Sequence, residues 1–135
     1  MHDFIIIGSG LASISAAKKI IKSGFKPLIL DVSNELEKKK LELKNKLDNL
    51  NIEFILNQGR ASEVIARIID EKAVGTIITD YSPLKVYKRR VNKVLDRTKI
   101  PFYQIDAHNI IPVWKASPKK EYAAYTIRKK IHDNL

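Results

Sequence analysis

Five short apolar runs punctuate the first 106 residues, and the stretches between them carry apolar positions three and four apart. The runs are Asp3–Ile7, Pro27–Asp31, Ile52–Leu56, Gly75–Thr79 and Phe102–Asp106. Continuous apolar runs of this length suit strands covered on both faces. The intervening spacing predicts helices. The first covers residues 11–23, with Ile14, Ala17, Ile20 and Ile21 on one face. The second begins near Asn34, with Glu37 three residues on as a capping pair and Leu36, Leu43, Leu47 and Leu50 as its stripe. The third follows Ser62 and shows Val64, Ile65, Ile68 and Ile69. The fourth opens on Ser82-Pro83, a cap followed by proline at the first helical position. Its inner face is Leu84, Tyr87, Val91 and Val94, and Lys85, Lys88, Arg89, Arg90, Lys93 and Arg97 cover the rest. After residue 106 the period breaks. Trp114 is expected as a packing anchor under an irregular loop. Ser117-Pro118 then starts a final basic helix facing inward through Tyr122, Tyr125 and Ile131.

Alternating strands and helices imply parallel strands joined by right-handed crossovers. The predicted fold is a three-layer, doubly wound, Rossmann-like α/β domain with a five-stranded parallel sheet, a single domain over residues 1–135. In the common strand order, strands 1 and 4 flank the switch point, and ligands bind beyond their carboxyl ends. Those ends are Gly8-Ser9-Gly10 and Asp80-Tyr81-Ser82.

Composition narrows the chemistry. The 135 residues contain no cysteine, which excludes disulfides, thiolate zinc sites and cysteine nucleophiles. His2, His108 and His132 are too far apart in pattern to argue for a metal. No apolar run approaches the roughly 20 residues of a membrane span, and Met-His-Asp is not the start of a signal peptide. A cytoplasmic protein without membrane contact is expected. The net charge is +10, and it is uneven. Residues 83–135 hold thirteen Lys/Arg against four Asp/Glu, while residues 1–82 are nearly balanced. Such asymmetry points to DNA, with Lys88, Arg89, Arg90 and Lys93 as phosphate contacts that would be salt-sensitive and sequence-blind.

The stretch FIIIGSGLASISAA, residues 4–17, places Gly8, Gly10 and Ser13 at the three positions of a dinucleotide fingerprint. Gly8 permits the tight turn, Gly10 lets a pyrophosphate approach backbone, and the following helix start offers N–H groups to it. Asp31 closes the second strand, where an acid accepts ribose hydroxyls. Serine at the third position is small enough to serve. Residues 3–31 resemble the nucleotide-binding unit of FAD-dependent oxidoreductases, which implies FAD or another dinucleotide held by Gly8, Ser9, Gly10, Ser13 and Asp31.

A longer resemblance lies downstream. TDYSPLK (79–85), IPFYQIDAHNIIPVWKAS (100–117) and KKEYAAYTIRKKI (119–131) are similar to the N-terminal α/β domain of class II photolyases, over residues 48–135. The run Asp106-Ala-His-Asn-Ile-Ile-Pro-Val-Trp114 is its most specific piece. The resemblance implies light-dependent repair of pyrimidine dimers in DNA. It also implies an antenna pigment of the deazaflavin type and a larger helical domain holding the catalytic flavin. The chain is expected to lack that helical domain, to be inactive in repair alone, and to meet such a domain on another chain. Where the family opens on an Arg-Asp segment, this chain carries its Gly-Ser-Gly unit instead, as a replacement first βα unit.

Read from the residues, Asp80, Tyr81 and Ser82 lie at one strand end, and Asp106, His108 and Asn109 at and just after another. Either set lines a ligand crevice or hydrogen-bonds the loop that follows it. No nucleophile accompanies the His/Asp pair, which leaves no catalytic set. Two alternatives stay open beside the photolyase reading: a small dinucleotide-binding module, and a basic DNA-binding protein without catalysis.

Overall fold

A computed structural model of the chain describes residues 1–32 and 38–135. In chain order its elements are β1 (His2–Ile7), α1 (Leu11–Lys22), β2 (Pro27–Val32), α2 (Lys38–Asp48), β3 (Glu53–Asn57) and α3 (Ala61–Lys72). They continue with β4 (Val74–Asp80), α4 (Lys85–Leu95), β5 (Phe102–Ile105), α5 (Val113–Ala116) and α6 (Ala124–His132). The chain divides into two compact units, Met1–Gln104 and Ile105–Leu135.

The first unit contains the sheet, in the order β3-β2-β1-β4-β5 with all strands parallel. Side-chain parity along the strands sorts the core into two layers. Ile5, Leu28, Leu30 and Ile77 face one side, where Val64, Ile65, Ile68 and Ile69 of α3 and Val94 of α4 cover them, and Val74 at the start of β4 joins the same cluster. Ile6, Ile29 and Phe54 face the other, under Ala17 of α1 and Leu47 of α2. Both faces are covered, as the uninterrupted apolar runs predict. The doubly wound α/β fold and the predicted inner faces of α1 and α3 are therefore present.

Several local expectations fail. α4 starts at Lys85 rather than at Ser82-Pro83, and no side chain caps it. The chain stays extended through Leu84 (φ −67°, ψ 134°). Leu84 and Tyr87 are 59% and 48% exposed, because only the last turn of α4 reaches the core, through Val94. Leu50 lies beyond the end of α2 and is also exposed. The Asn34/Glu37 capping pair and Leu36 fall outside the described residues. β5 ends one residue early, at Ile105.

In the second unit, Ile111 and Ala116 are buried, whereas Trp114 in α5 is 51% exposed rather than buried under the loop. The last helix starts at Ala124, not at Ser117-Pro118. Ser117 does not cap it; its hydroxyl donates to Glu121 Oε1 (2.7 Å) and accepts from Lys130 Nζ (3.0 Å). Lys130 also pairs directly with Glu121. The Lys130, Ser117 and Thr126 hydrogen bonds hold the Glu121 carboxyl down at about 2. This polar latch takes the inward place, so Tyr122 and Tyr125 are left 87% and 77% exposed, and α6 buries no residue fully.

A second ionic set ties the amino edge of the sheet. His2 Nε2 lies 2.8 Å from Glu53 Oε2, and Lys72 Nζ lies 2.7 Å from Glu53 Oε1, linking β1, β3 and the end of α3. Burial pushes the Glu53 carboxyl up, but the Lys72 hydrogen bond and the charges of His2 and Lys72 outweigh it and hold it below its ordinary 4.5. A depressed carboxyl stabilises the fold above its unfolded value and loses that contribution as pH falls through the lower folded one. Thermal melts of Glu53→Gln are expected to lie below wild type at pH 7 and to converge with it well below pH 4.5. A constant offset across that range would remove Glu53 from the acid response.

Candidate functional site

The carboxyl edge of the sheet follows from strand order. Ile7 pairs with Thr79, so Gly8 and Asp80 leave adjacent strands side by side. From there α1 packs over one face of the sheet and α4 over the other. Open α/β sheets bind ligands where connections diverge in this way, beyond the carboxyl ends of the two strands.

Gly8 sits at φ +106°, a conformation that side-chain-bearing residues rarely adopt, and its N–H donates to the Leu30 carbonyl at 2.8 Å. Gly10 is different. It caps α1 in an extended conformation (φ −73°, ψ 171°), and a Cβ placed on it meets nothing within 4 Å. The fold therefore does not require glycine there, and the space is open to an approaching group. Ser13 is half-buried beneath the turn, 3.7 Å from where a Gly8 Cβ would lie. The Ser9 hydroxyl donates to Asp31 Oδ2, and Lys40 Nζ lies 3.4 Å from Asp31 Oδ1.

The structure thus gathers Gly8, Ser9, Gly10, Ser13 and Asp31 on one edge, with Asp80 next to Gly8. Asp80 is exposed, and Tyr81 and Ser82 are half-buried behind it. Lys40 joins this set without any sequence signal. The phosphate half of a dinucleotide fits, since Gly10 leaves room beside the start of a helix with no acid in its first turn. The ribose half fits less directly, because Asp31 is already engaged by Ser9 and Lys40.

Asp106, His108 and Asn109 belong to the second unit. There the Asp106 carboxylate organises the following loop. Its Oδ1 accepts from the His108 and Asn109 N–H groups (3.3 and 3.2 Å) and from Asn109 Nδ2 (3.0 Å). Its Oδ2 accepts from Asn109 Nδ2 (2.9 Å) and the Val113 N–H (3.0 Å). Asn109 and these backbone amides hold the carboxyl below its ordinary 3.8, against the opposing effect of burial. Of the two roles the sequence left open, Asp106 and Asn109 perform the loop-binding one.

On α4, Lys88, Arg89, Arg90 and Lys93 are all exposed. The Arg90 guanidinium lies over the Tyr87 ring, 5.4 Å from its centre. Among the described residues, no helix is long and apolar enough to cross a membrane.

Strand order and the helices on both faces define the class: a Rossmann-like α/β protein of the doubly wound kind. Two solved structures share this fold. A universal stress protein from Archaeoglobus fulgidus DSM 4304 matches with a TM-score of 0.58 at 17% identity, over 77% of this chain and 44% of that one. A universal stress protein in complex with cAMP matches with a TM-score of 0.56 at 15% identity, over 78% of this chain and 97% of that one. Sequence adds the family. The DNA photolyase pattern matches residues 36–135, and the chain belongs to the DNA photolyase family. It is 41% identical over 96 residues to a deoxyribodipyrimidine photo-lyase from Arabidopsis thaliana, and 43% identical over 96 residues to one from Potorous tridactylus. Each alignment covers 70% of this chain but only 19% and 18% of the relatives, so the chain spans about a fifth of their length. The family match begins upstream of residue 48, where the resemblance read from the sequence starts.

Proposed function

We propose that this chain, taken as one α/β domain over residues 1–135, is the antenna domain of a class II photolyase. In this reading it holds a deazaflavin-type pigment at the carboxyl edge of its sheet. It passes excitation to a flavin in a helical catalytic domain, and the assembly repairs pyrimidine dimers in DNA. The observation that carries the reading is the run Asp106-Ala-His-Asn-Ile-Ile-Pro-Val-Trp114 in a chain 41% and 43% identical to two photo-lyases. Residues Gly8, Ser9, Gly10, Asp80, Tyr81 and Ser82 are the proposed pigment contacts. Asp106, His108 and Asn109, in the second unit, order their own loop. DNA contact through Lys88, Arg89, Arg90 and Lys93 completes the reading, and an intracellular, soluble setting goes with it.

One observation favours a second ligand at the same edge. Gly10 is a glycine that the backbone does not need, with open space where its side chain would be, which suits the close approach of a pyrophosphate. FAD or another dinucleotide is that ligand. A basic DNA-binding protein without catalysis would need neither.

Absorption spectroscopy of the purified chain, incubated separately with a deazaflavin and with FAD and then desalted, separates these readings. A retained near-ultraviolet or visible band identifies the ligand. Gly10→Val is expected to weaken binding by about tenfold or more, roughly 1.4 kcal/mol, with an unchanged melt, because its isopropyl group fills the approach and not the core. Retention of neither compound would sink both pigment and dinucleotide. Unchanged binding in Gly10→Val would move the ligand away from the loop.

A further inference from the structure

A cleft of about 490 Å³ lies between the start of α3 and the end of α4, lined by Arg60, Ser62, Glu63, Lys93, Asp96 and Arg97. It shares no residue with the carboxyl-edge set of Gly8, Ser9, Gly10, Ser13, Asp31 and Asp80. Three cations converge on it from two segments, and its two carboxylates are placed differently. Glu63 sits 3.6 Å from Arg60 in an exposed pair one turn apart, the kind of pair that contributes little. Asp96 closes α4 and, among the described residues, lies within 4 Å of no cation. Lys93 and Arg97 likewise have no carboxylate within that distance.

These two cations end a longer row. Lys85, Arg89, Lys93 and Arg97 recur every fourth residue, and all are exposed. Steps of four along a helix advance about 6 Å and turn about 40°, so the four form one gently winding track. The helical turn continues past α4, with the Arg97 N–H donating to the Val94 carbonyl at 3.0 Å. No acidic residue interrupts positions 81–95. Spaced cations leading into a cleft that adds Arg60 and a serine hydroxyl match successive anions better than a single one. Guanidinium forks recognise phosphate oxygens in pairs, which suits Arg60 and Arg97 to that group.

We propose that the α3–α4 cleft is a phosphate-binding site, taking one phosphate of a ligand that carries several in a row. The ligand is either a nucleic-acid strand or a small polyphosphate; the phosphate chemistry is common to both. The site does not depend on the pigment reading; with a nucleic-acid ligand it extends the proposed DNA contact, which also uses Lys93.

Inorganic tripolyphosphate and a labelled single-stranded oligonucleotide are the probes, titrated separately at low salt. The double variant Lys93→Glu/Arg97→Glu is expected to weaken binding by about tenfold or more and to flatten its salt dependence. The control Lys44→Glu/Lys46→Glu, at two exposed positions of α2, makes the same change in net charge and is expected to lose less than about twofold. Circular dichroism checks that both variants fold. If both probes bind and tripolyphosphate displaces the strand, the ligand is a nucleic-acid backbone; if only tripolyphosphate binds, it is a small polyphosphate. Equal losses in the two double variants would reduce the effect to net charge and overturn the site. So would binding of neither probe, or binding of the strand that tripolyphosphate does not displace. Pigment retention, read through Gly10→Val, fails or succeeds separately.

Discussion

Ile77→Ala is expected to lower the unfolding free energy by roughly 2–5 kcal/mol. Ile77 is fully buried in β4, paired in register with Ile5 of β1, and it belongs to the layer closed by α3 and Val94. Its backbone N–H donates to the Pro101 carbonyl at 2.8 Å, the bond that starts β5 alongside β4. Alanine keeps that bond and removes three carbons from the buried cluster that Ile77 shares with Ile5, Leu28, Ile65 and Ile69. Those neighbours are held by strands and a helix and relax only in part, so a cavity term adds to the lost transfer energy. The thermal midpoint is expected to fall by several degrees or more for such a loss. Leu84→Ala removes a similar volume at an exposed position and is expected to stay within about 0.5 kcal/mol. Chemical denaturation of the two variants decides the matter, and comparable losses would contradict the assignment of β4 to the core. The consequence reaches the site, because β4 also delivers Asp80 to its place beside Gly8.

The strands and α3 were legible because burial on both faces writes itself into consecutive residues. Ile5, Ile6, Leu28, Ile29 and Leu30 are apolar for two opposite layers at once. Strand order then placed Asp80 beside Gly8 without any local signal between them. What escaped depends on distant partners. Ser82-Pro83 has the form of a helix start, yet nothing local says that the chain stays extended to Leu84. Tyr122 and Tyr125 have helical spacing, but the inward place goes to Glu121, whose partner Lys130 is nine residues on. Asp31 was legible as a strand-end acid, whereas its engagement by Ser9 and Lys40 needs the turn and α2 in place. The cleft of Arg60, Lys93 and Arg97 exists only once α3 and α4 pack together. Sequence showed the basic helix and not where its row of cations ends.

Asp106→Asn is expected to loosen residues 106–113 at neutral pH although it changes one atom. The native carboxylate uses both oxygens as acceptors, for the His108, Asn109 and Val113 amides and for the Asn109 side chain. An amide offers one acceptor oxygen, and its NH₂ group must face either the His108 and Asn109 N–H groups or the Val113 N–H, with Asn109 Nδ2 opposite it in both orientations, donor against donor. Hydrogen exchange at the Val113 and Asn109 amides is expected to accelerate by about tenfold or more, while the buried strands of the sheet keep their protection. In the wild type the same loosening is expected under acid. The Asp106 carboxyl titrates below its ordinary 3.8, so its stabilisation is complete above that value and disappears as the pH falls through the lower folded one. Trp114 is the sole tryptophan and directly follows Val113, so its emission reports the transition. The acid step in emission should be present in the wild type and absent from Asp106→Asn, which is already loosened at pH 7. Identical exchange and identical acid steps in the two proteins would show that the carboxylate does not hold the loop. The loop carries the run that most specifically resembles the photolyases. A loss confined to it therefore makes Asp106 a positioning residue for that run, distinct from the packing that holds the sheet.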